Sequence, residues 1–324
     1  MAVFIGRRGW LGIAIEDSPG SPKPPADYLP FAECSLGGKI SPVAETLARG
    51  VRDEQGPNSQ IGKKWGEGTI RTVLDPTLAP YLLILALGSV SSELLDNGVY
   101  EHTITRKADN TPLTASVVFD RVVDRQLFHY LVVSSLELSF ADEMVELSAD
   151  CLSRFPITTA SGSLTTTSGT LFTFKHASLK FGDTLSEAEN GTELKVREFS
   201  LTIENNSETI FTVGTAGDVD EIVHKNFGVN GSFSLLFEDT TQRDIFRNLS
   251  KKALILTLTG NGIGGGYSEM VKIKLPRVRY DTYSPDLALD DIASEGIDFV
   301  AEYDLNEAKT IEAVIRNRNA SYTS

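Results

Sequence analysis

The chain has 324 residues, about twice a typical ~150-residue domain, and 41% of them are apolar, enough to bury a sizeable core. Its 44 acidic and 30 basic residues give a net charge of −14. That balance excludes a protein that grips nucleic acid or an anionic membrane through a broad basic face. Cys34 and Cys151 lie far apart with no CxxC pair, so neither a disulfide framework nor a thiolate metal site is expected. The longest apolar stretch, Tyr81 to Leu87, is far short of the ~20 residues that span a bilayer. The opening residues are broken by glycine and acid and read as neither signal peptide nor anchor. A soluble product made in the cytoplasm is expected.

In chain order, residues 1–30 carry the proline-rich run Ser18–Pro25 and read as an extended arm. A long polar loop follows at 41–66. Asp75-Pro76-Thr77 predicts a helix start, with Asp75 as N-cap and Pro76 in the first turn. The helix continues through Leu78, Tyr81, Leu82 and Leu85 and stops at Gly88. It is apolar on nearly every side, so it belongs between two surfaces. Period-2 alternation in Ser135–Phe140 predicts a half-wet strand. The same pattern returns in Leu171–Phe174, Glu198–Ile203, Leu254–Leu258 and Val271–Leu275. Between these runs, Thr158–Gly169 reads as a connector and 205–229 as a second long loop. A second helix is predicted from Asp239-Thr240-Thr241-Gln242 through Ile245, Phe246 and Leu249. The last ~15 residues read as a loosely held tail.

No catalytic carrier emerges. HExxH, GxSxG and the P-loop are all absent, and His102, His129, His176 and His224 are scattered. Gly260–Gly265 satisfies GxGxxG, but an alternating strand, not a helix, follows it. It therefore reads as a hairpin tip, with no dinucleotide. The carboxylates at 142–150 and 286–291 lack the spacing of a Ca²⁺ loop and read as a solvated acidic face. No enzyme activity, metal or cofactor is expected.

The elements occur twice. Gly68–Asp75 can be laid on Gly231–Glu238, which brings Leu82 onto Ile245 and Leu83 onto Phe246. Each copy has a long loop upstream and a strand pair downstream: Val132–Phe140 with Val145–Cys151, then Val271–Tyr280 with Gly296–Tyr303. The expected organisation is an arm (1–30), a first β unit (31–157), a linker (158–169), a second β unit (170–305) and a tail (306–324).

Gly9–Glu16, Pro19-Gly20-Ser21 and Tyr28–Phe31 resemble the opening of the major tail tube proteins of long-tailed (siphovirus-like) bacteriophages. The loop at 41–66, the strand at 68–74, the helix to Leu87, Leu275–Val278 and Phe299–Asp304 continue the resemblance. It implies a mainly β fold of duplicated tail-tube-type β-sandwich/barrel units, each with a flanking α-helix. It also implies a virion protein whose rings stack into a hollow tube through which DNA passes without specific binding. A duplicated unit implies trimeric, pseudo-hexameric rings, with hexameric rings as the alternative. Tail tip, tape measure and tail terminator proteins are the implied further partners, and no membrane is involved.

On this basis the stacking contacts are expected in the loops carrying Arg49, Arg52, Asp53, Glu54, Lys63 and Lys64, and Asp218, Asp220, Glu221 and Lys225. Lumen or subunit-interface strands are expected at Glu137, Ser139 and Glu146, and at Lys272, Lys274, Arg277 and Arg279. A β-sandwich binding or adhesion module is the alternative reading, as is another tail ring component such as the terminator. Deleting residues 50–62 is expected to leave a folded, soluble chain that forms no tubes in negative-stain electron microscopy; polymerisation of that variant would clear the loop of a stacking role.

Overall fold

The computed structural model describes residues 5–44, 59–140, 143–159, 170–287, 289 and 292–322. The chain opens with β1 (Trp10–Ile15), β2 (Asp27–Tyr28), β3 (Glu33–Cys34), β4 (Gly37–Val43) and β5 (Gln60–Val73). Helix α1 (Pro80–Leu87) leads into β6 (Gly88–Asp96), β7 (Val99–Arg106) and β8 (Ala115–Asp120). Then come β9 (Arg125–Phe140), β10 (Glu146–Ser153) and β11 (Ile157–Thr158). The second half begins with β12 (Ala177–Gly182), α2 (Leu185–Glu189) and β13 (Val196–Glu204). It continues with β14 (Glu208–Ile210), β15 (Glu221–Val223), β16 (Gly228–Leu236) and α3 (Thr241–Arg247). β17 (Lys252–Gly264), β18 (Tyr267–Asp286), β19 (Ser294–Ala301) and β20 (Glu312–Asn317) complete the chain. With 56% strand and 9% helix, the fold is mainly β, as the alternation predicts.

One antiparallel sheet runs β4–β5–β10–β9–β13–β16–β19–β18. Its core face is built by every second residue: Leu136, Leu138 and Phe140 on β9, and Phe199, Leu201 and Ile203 on β13. Two outer sheets cover that face: β2–β1–β8–β9–β11 and β12–β17–β18–β20–β7–β6. The long strands β9 and β18 each belong to two sheets. Their first halves pair in an outer sheet and their second halves in the large one.

The order and register of the large sheet repeat. Ile70 pairs with Ala149, which pairs with Leu136. Phe233 pairs with Ile297, which pairs with Tyr283. A bulge recurs at the matching place: Ser134 is the extra residue opposite Asp150/Cys151, and Asp281 is the extra residue opposite Asp298/Phe299. The same hydrogen bond flanks both bulges. Ser135 Oγ donates to Asp150 at 3.0 Å, and Thr282 Oγ1 donates to Asp298 at 2.6 Å.

Several elements differ from the sequence reading. All eight residues of α1 are buried as expected, and Gly88 ends it in the left-handed region at φ +88°. The helix begins four residues later than Pro76, because Asp75 closes a turn first. Its carboxylate accepts the N–H groups of Thr77 and Leu78, both at 2.7 Å, and Pro80 then starts the helix where no N–H is needed. Leu171–Phe174 is not a strand: Phe172 is fully buried between Leu74 and Val145, and a 3₁₀ turn follows. The Gly260–Gly265 run closes the β17–β18 hairpin, as expected, with Gly260–Gly264 in the end of β17 and the turn at Gly265-Gly266.

Both chain ends are held more firmly than their composition predicts. Trp10–Ile15, within the expected arm, is a wholly buried strand beside β8. Its apolar residues form a strand ahead of the proline-rich run on which the arm reading rested. The expected tail contains β20, which lies between β18 and β7 and so joins the two halves of the chain. Beyond it, Tyr322 is buried and its hydroxyl donates to Thr77 O at 2.8 Å.

Two buried polar side chains fix β9. Glu16 accepts from Gly20 N, Thr114 Oγ1, Ser116 Oγ and Tyr130 N, all at 2.8–2.9 Å. Tyr130 lies at φ +53°, in the left-handed region, where β9 changes sheets. Asn205 donates through Nδ2 to Ala86 O and Val133 O, tying the end of α1 to the bulge of β9. Glu16→Ala strands several buried donors at once and is expected to cost at least about 2 kcal/mol in denaturant melts. Leu82→Ala, at a fully buried position, is expected to cost about 2–5 kcal/mol. A loss under half a kcal/mol in either variant would contradict this account of the core.

Candidate functional site: the polar sheet face and its free edges

The other face of the large sheet is open to solvent and built of short polar side chains. Alternation puts Ser135, Glu137 and Ser139 of β9 beside Glu146, Ser148 and Asp150 of β10. Next to them stand Ser200, Thr202 and Glu204 of β13, then Ser232 and Ser234 of β16. Carboxylates predominate: Glu67, Glu137, Glu146, Asp150, Glu198, Glu204 and Asp298 share this face with Arg71, which pairs with Glu146 at 2.8 Å. Asp150 is held by Thr69 Oγ1 at 2.7 Å as well as by Ser135. An open depression of about 660 Å³ lies at one end, lined by Ser139, Glu146, Ser200, Ser232, Ser234 and Asp298 among others. The result is an acidic, hydroxyl-rich surface, whose like charge repels a polyanion.

Two strand edges of this sheet stay unpaired among the described residues. β3 and β4 pair only with β5, so their outer side is free. β18 pairs with β17 only as far as Val278, which leaves Tyr280–Asp286 free on that side. Exposed apolar side chains accompany both edges: Ile40 and Val43 on β4, and Leu287 just past β18. Long open edges are templates for pairing with another chain.

The residues singled out in the sequence fall into three groups. Glu137, Ser139 and Glu146 sit together on the polar face, with Ser139 and Glu146 directly paired. Lys272 and Lys274 sit on the outer-sheet half of β18 instead, where they pair with Glu189 (3.3 Å) and Glu312 (3.0 Å) of the same chain. The reason is the change of sheet near Pro276, where two consecutive buried residues, Leu275 and Pro276, shift the phase of the alternation and the two halves of the strand acquire different neighbours. Past that point Arg277 pairs with Glu302 at 3.1 Å and Arg279 with Asp281 at 2.9 Å.

Lys63 and Lys64 lie in β5, paired with β4, and not in a loop as expected, because residues 60–66 continue the strand. Lys64 meets Asp218 at 3.6 Å, and Lys64 N donates to Gly217 O. Lys63 Nζ lies 4.7 Å from the Phe211 ring centroid, Asp220 accepts from Thr212, and Lys225 pairs with Glu208. Glu221 opens β15 and is exposed. Arg49, Arg52, Asp53 and Glu54 lie outside the described residues.

The contact between the two loop regions is what the sequence reading missed. The β14–β15 hairpin reaches from the second half of the sheet across the first. Its Val219, Ile222 and Phe211 cover Tyr130, Val132, Leu152 and Trp65. Arg154 fastens it by donating to Val219 O at 3.0 Å and Asp220 O at 2.8 Å. The available signal was the apolar trio Phe211, Val219 and Ile222 inside an otherwise polar loop.

A family model described as phage tail tube protein matches residues 6–301. No curated protein gives a match. That family is structural and is not an enzyme family, and no helix among the described residues is long and apolar enough to cross a membrane. With nearly the whole chain covered, the protein belongs to the phage tail tube protein family and is a structural component of the virion tail.

Proposed function

We propose that three copies of this chain close into a ring, and that rings stack into the hollow tube through which phage DNA leaves. The observation that carries this reading is the eight-strand sheet, β4 to β18, with a free edge at each end and an acidic face. Each copy is read as a pair of duplicated units, 31–157 and 170–305, so a trimer has pseudo-sixfold symmetry.

Strand arithmetic favours three copies over six. Three contribute about 24 strands, and at ~4.8 Å spacing and ~40° tilt these close into a wall ~48 Å across. Six copies would give roughly twice that width, far more than one duplex needs. The acidic face then lines the lumen, where like charge prevents the counterion-release binding that would stall DNA. Stacking is a heterologous contact that does not close on itself, and it yields a filament. The connection from β4 to β5 with the adjoining ends of those strands, and the segment 205–229 that holds β14 and β15, are its proposed carriers. Tail tip, tape measure and tail terminator proteins are the proposed partners at and within the tube.

The test is negative-stain electron microscopy of the purified chain over a concentration series. Hollow tubes with three-fold rings are expected. Single rings that never stack would favour a terminator. Isolated chains at every concentration, with or without tail-tip proteins, would count against the proposal and return the binding-module reading.

A further inference from the structure

The ring reading leaves open which residues meet between copies, and the chain carries a template for that contact within itself. β9 and β13 join the two halves of the large sheet in a single register: Phe140–Phe199, Ser139–Ser200, Leu138–Leu201, Glu137–Thr202, Leu136–Ile203 and Ser135–Glu204. Their counterparts in the repeat are the two free edges.

The counterparts follow from pairing, without any appeal to sequence likeness. Cys34 pairs with Ile70 as Phe199 pairs with Phe233, and Gly37 pairs with Glu67 as Thr202 pairs with Asn230. Thus Cys34–Lys39 occupies the place of Phe199–Glu204. On the other edge, Asp286 pairs with Ser294 as Ser139 pairs with Glu146, and Thr282 pairs with Asp298 as Ser135 pairs with Asp150. Thr282–Leu287 therefore occupies the place of Ser135–Phe140, with the bulge residue of each strand just before it.

Resting on the ring reading, we infer that β3–β4 of one copy pairs antiparallel with the second half of β18 of the next, with Lys39 opposite Thr282, Gly37 opposite Ser284 and Ser35 opposite Asp286. The partner is a second copy of this chain, and the register is that of β9 with β13.

Three features of the edges fit this register. Leu287 is 75% exposed although its counterpart Phe140 is buried. Phe140 is covered by Phe199, with ring centroids 5.5 Å apart, and docking sets Cys34 against Leu287 in the same way. Lys39 arrives beside Thr282 and its neighbours Asp281 and Asp298, where the internal joint has the acid Glu204 near Asp150. Within the chain Lys39 pairs with Glu67 at 3.6 Å and Asp281 with Arg279 at 2.9 Å, and the joint brings Lys39 to Asp298 as an opposite-charge neighbour where the internal joint has two acids.

Backbone donors also match. In the internal joint Asn205 N donates to Ser134 O, so the alternating bonded positions include Leu138 with Leu201. Pro285 replaces Leu138 and brings no N–H. The carbonyl facing it, Leu36 O, already accepts from Arg121.

The register is read by disulfide trapping in a Cys34→Ser background, at positions that are not directly hydrogen-bonded and so suit a disulfide. Within one chain these edges are about 30 Å apart around the sheet, so any bond formed is between copies. On oxidation of assembled tubes, Lys39→Cys with Thr282→Cys is expected to give covalent trimers on denaturing gels, as is Gly37→Cys with Ser284→Cys. The slipped pair Lys39→Cys with Ser284→Cys is expected to cross-link at least tenfold more slowly. Normal tubes in which both in-register pairs stay monomeric, or in which the slipped pair reacts faster, would overturn the register and leave the tube function standing. Failure of the unsubstituted chain to form any ring or tube would remove both.

Discussion

One strand, β9, takes part in two sheets, and most of the architecture hangs on the point where it changes from one to the other. Tyr130 enters the left-handed region there, at φ +53°, a conformation that a bulky residue adopts only when its surroundings hold it. The holding group is a single buried carboxylate. Glu16 takes the Tyr130 N–H and also fastens Gly20, Thr114 and Ser116, so β1, the turn after it, β8 and β9 meet at one side chain. A hydrogen bond to a charged acceptor in a low-dielectric interior is among the stronger ones available, which suits it to this position. Beyond the switch, β9 is free to carry β10 on one side and β13 on the other.

The second half of the chain meets the same demand with different chemistry. β18 changes sheet near Pro276: its ladder with β20 ends at Lys274 and its ladder with β19 begins at Val278, with the proline, which has no N–H, between them. Downstream, both strands carry the same bulge and the same hydroxyl-to-aspartate bond, Ser135 to Asp150 and Thr282 to Asp298. The bulge occurs in both halves although the residues around it differ, so backbone geometry, more than side-chain identity, is what the two halves share. The halves are also interlocked, because the β6–β7 hairpin of the first joins the outer sheet of the second through β20.

An eight-strand sheet with two open edges is ordinarily an aggregation hazard. Here both edges carry charged side chains, Glu33 and Lys39 on one and Asp281 and Asp286 on the other. The polar face lacks large apolar side chains across most of its width, and where it turns apolar, at Val132, Leu152 and Trp65, the β14–β15 hairpin covers it. Contact is thereby directed to the edges. The proline at 285 and the arginine-bonded carbonyl of Leu36 reduce the hydrogen bonds that an arbitrary strand would gain there.

Much of this was readable from residue order. Period-2 alternation is a local property, so Leu136/Glu137 and Leu201/Thr202 declare a half-wet sheet without knowledge of their neighbours. Capping chemistry is equally local, and Gly88 ends α1 where its freedom at positive φ predicts. The repeat of Gly68–Asp75 in Gly231–Glu238 is visible because register preserves spacing, and the tail-tube resemblance rests on the same ordered set. The tertiary structure alone decided which strands were neighbours: that β13 lies against β9, that β20 lies between β18 and β7, and that Phe211 and Ile222 cover Trp65 and Val132. It also sent Lys272 and Lys274 to salt bridges in an outer sheet, apart from Arg277 and Arg279, which lie past the shift of phase at Leu275-Pro276. Pairing partners are set by long-range burial and by buried anchors such as Glu16 and Asn205, whose worth depends on donors far away in the sequence. Local pattern fixes which face of a strand is wet; only the assembled core fixes which strand stands beside it.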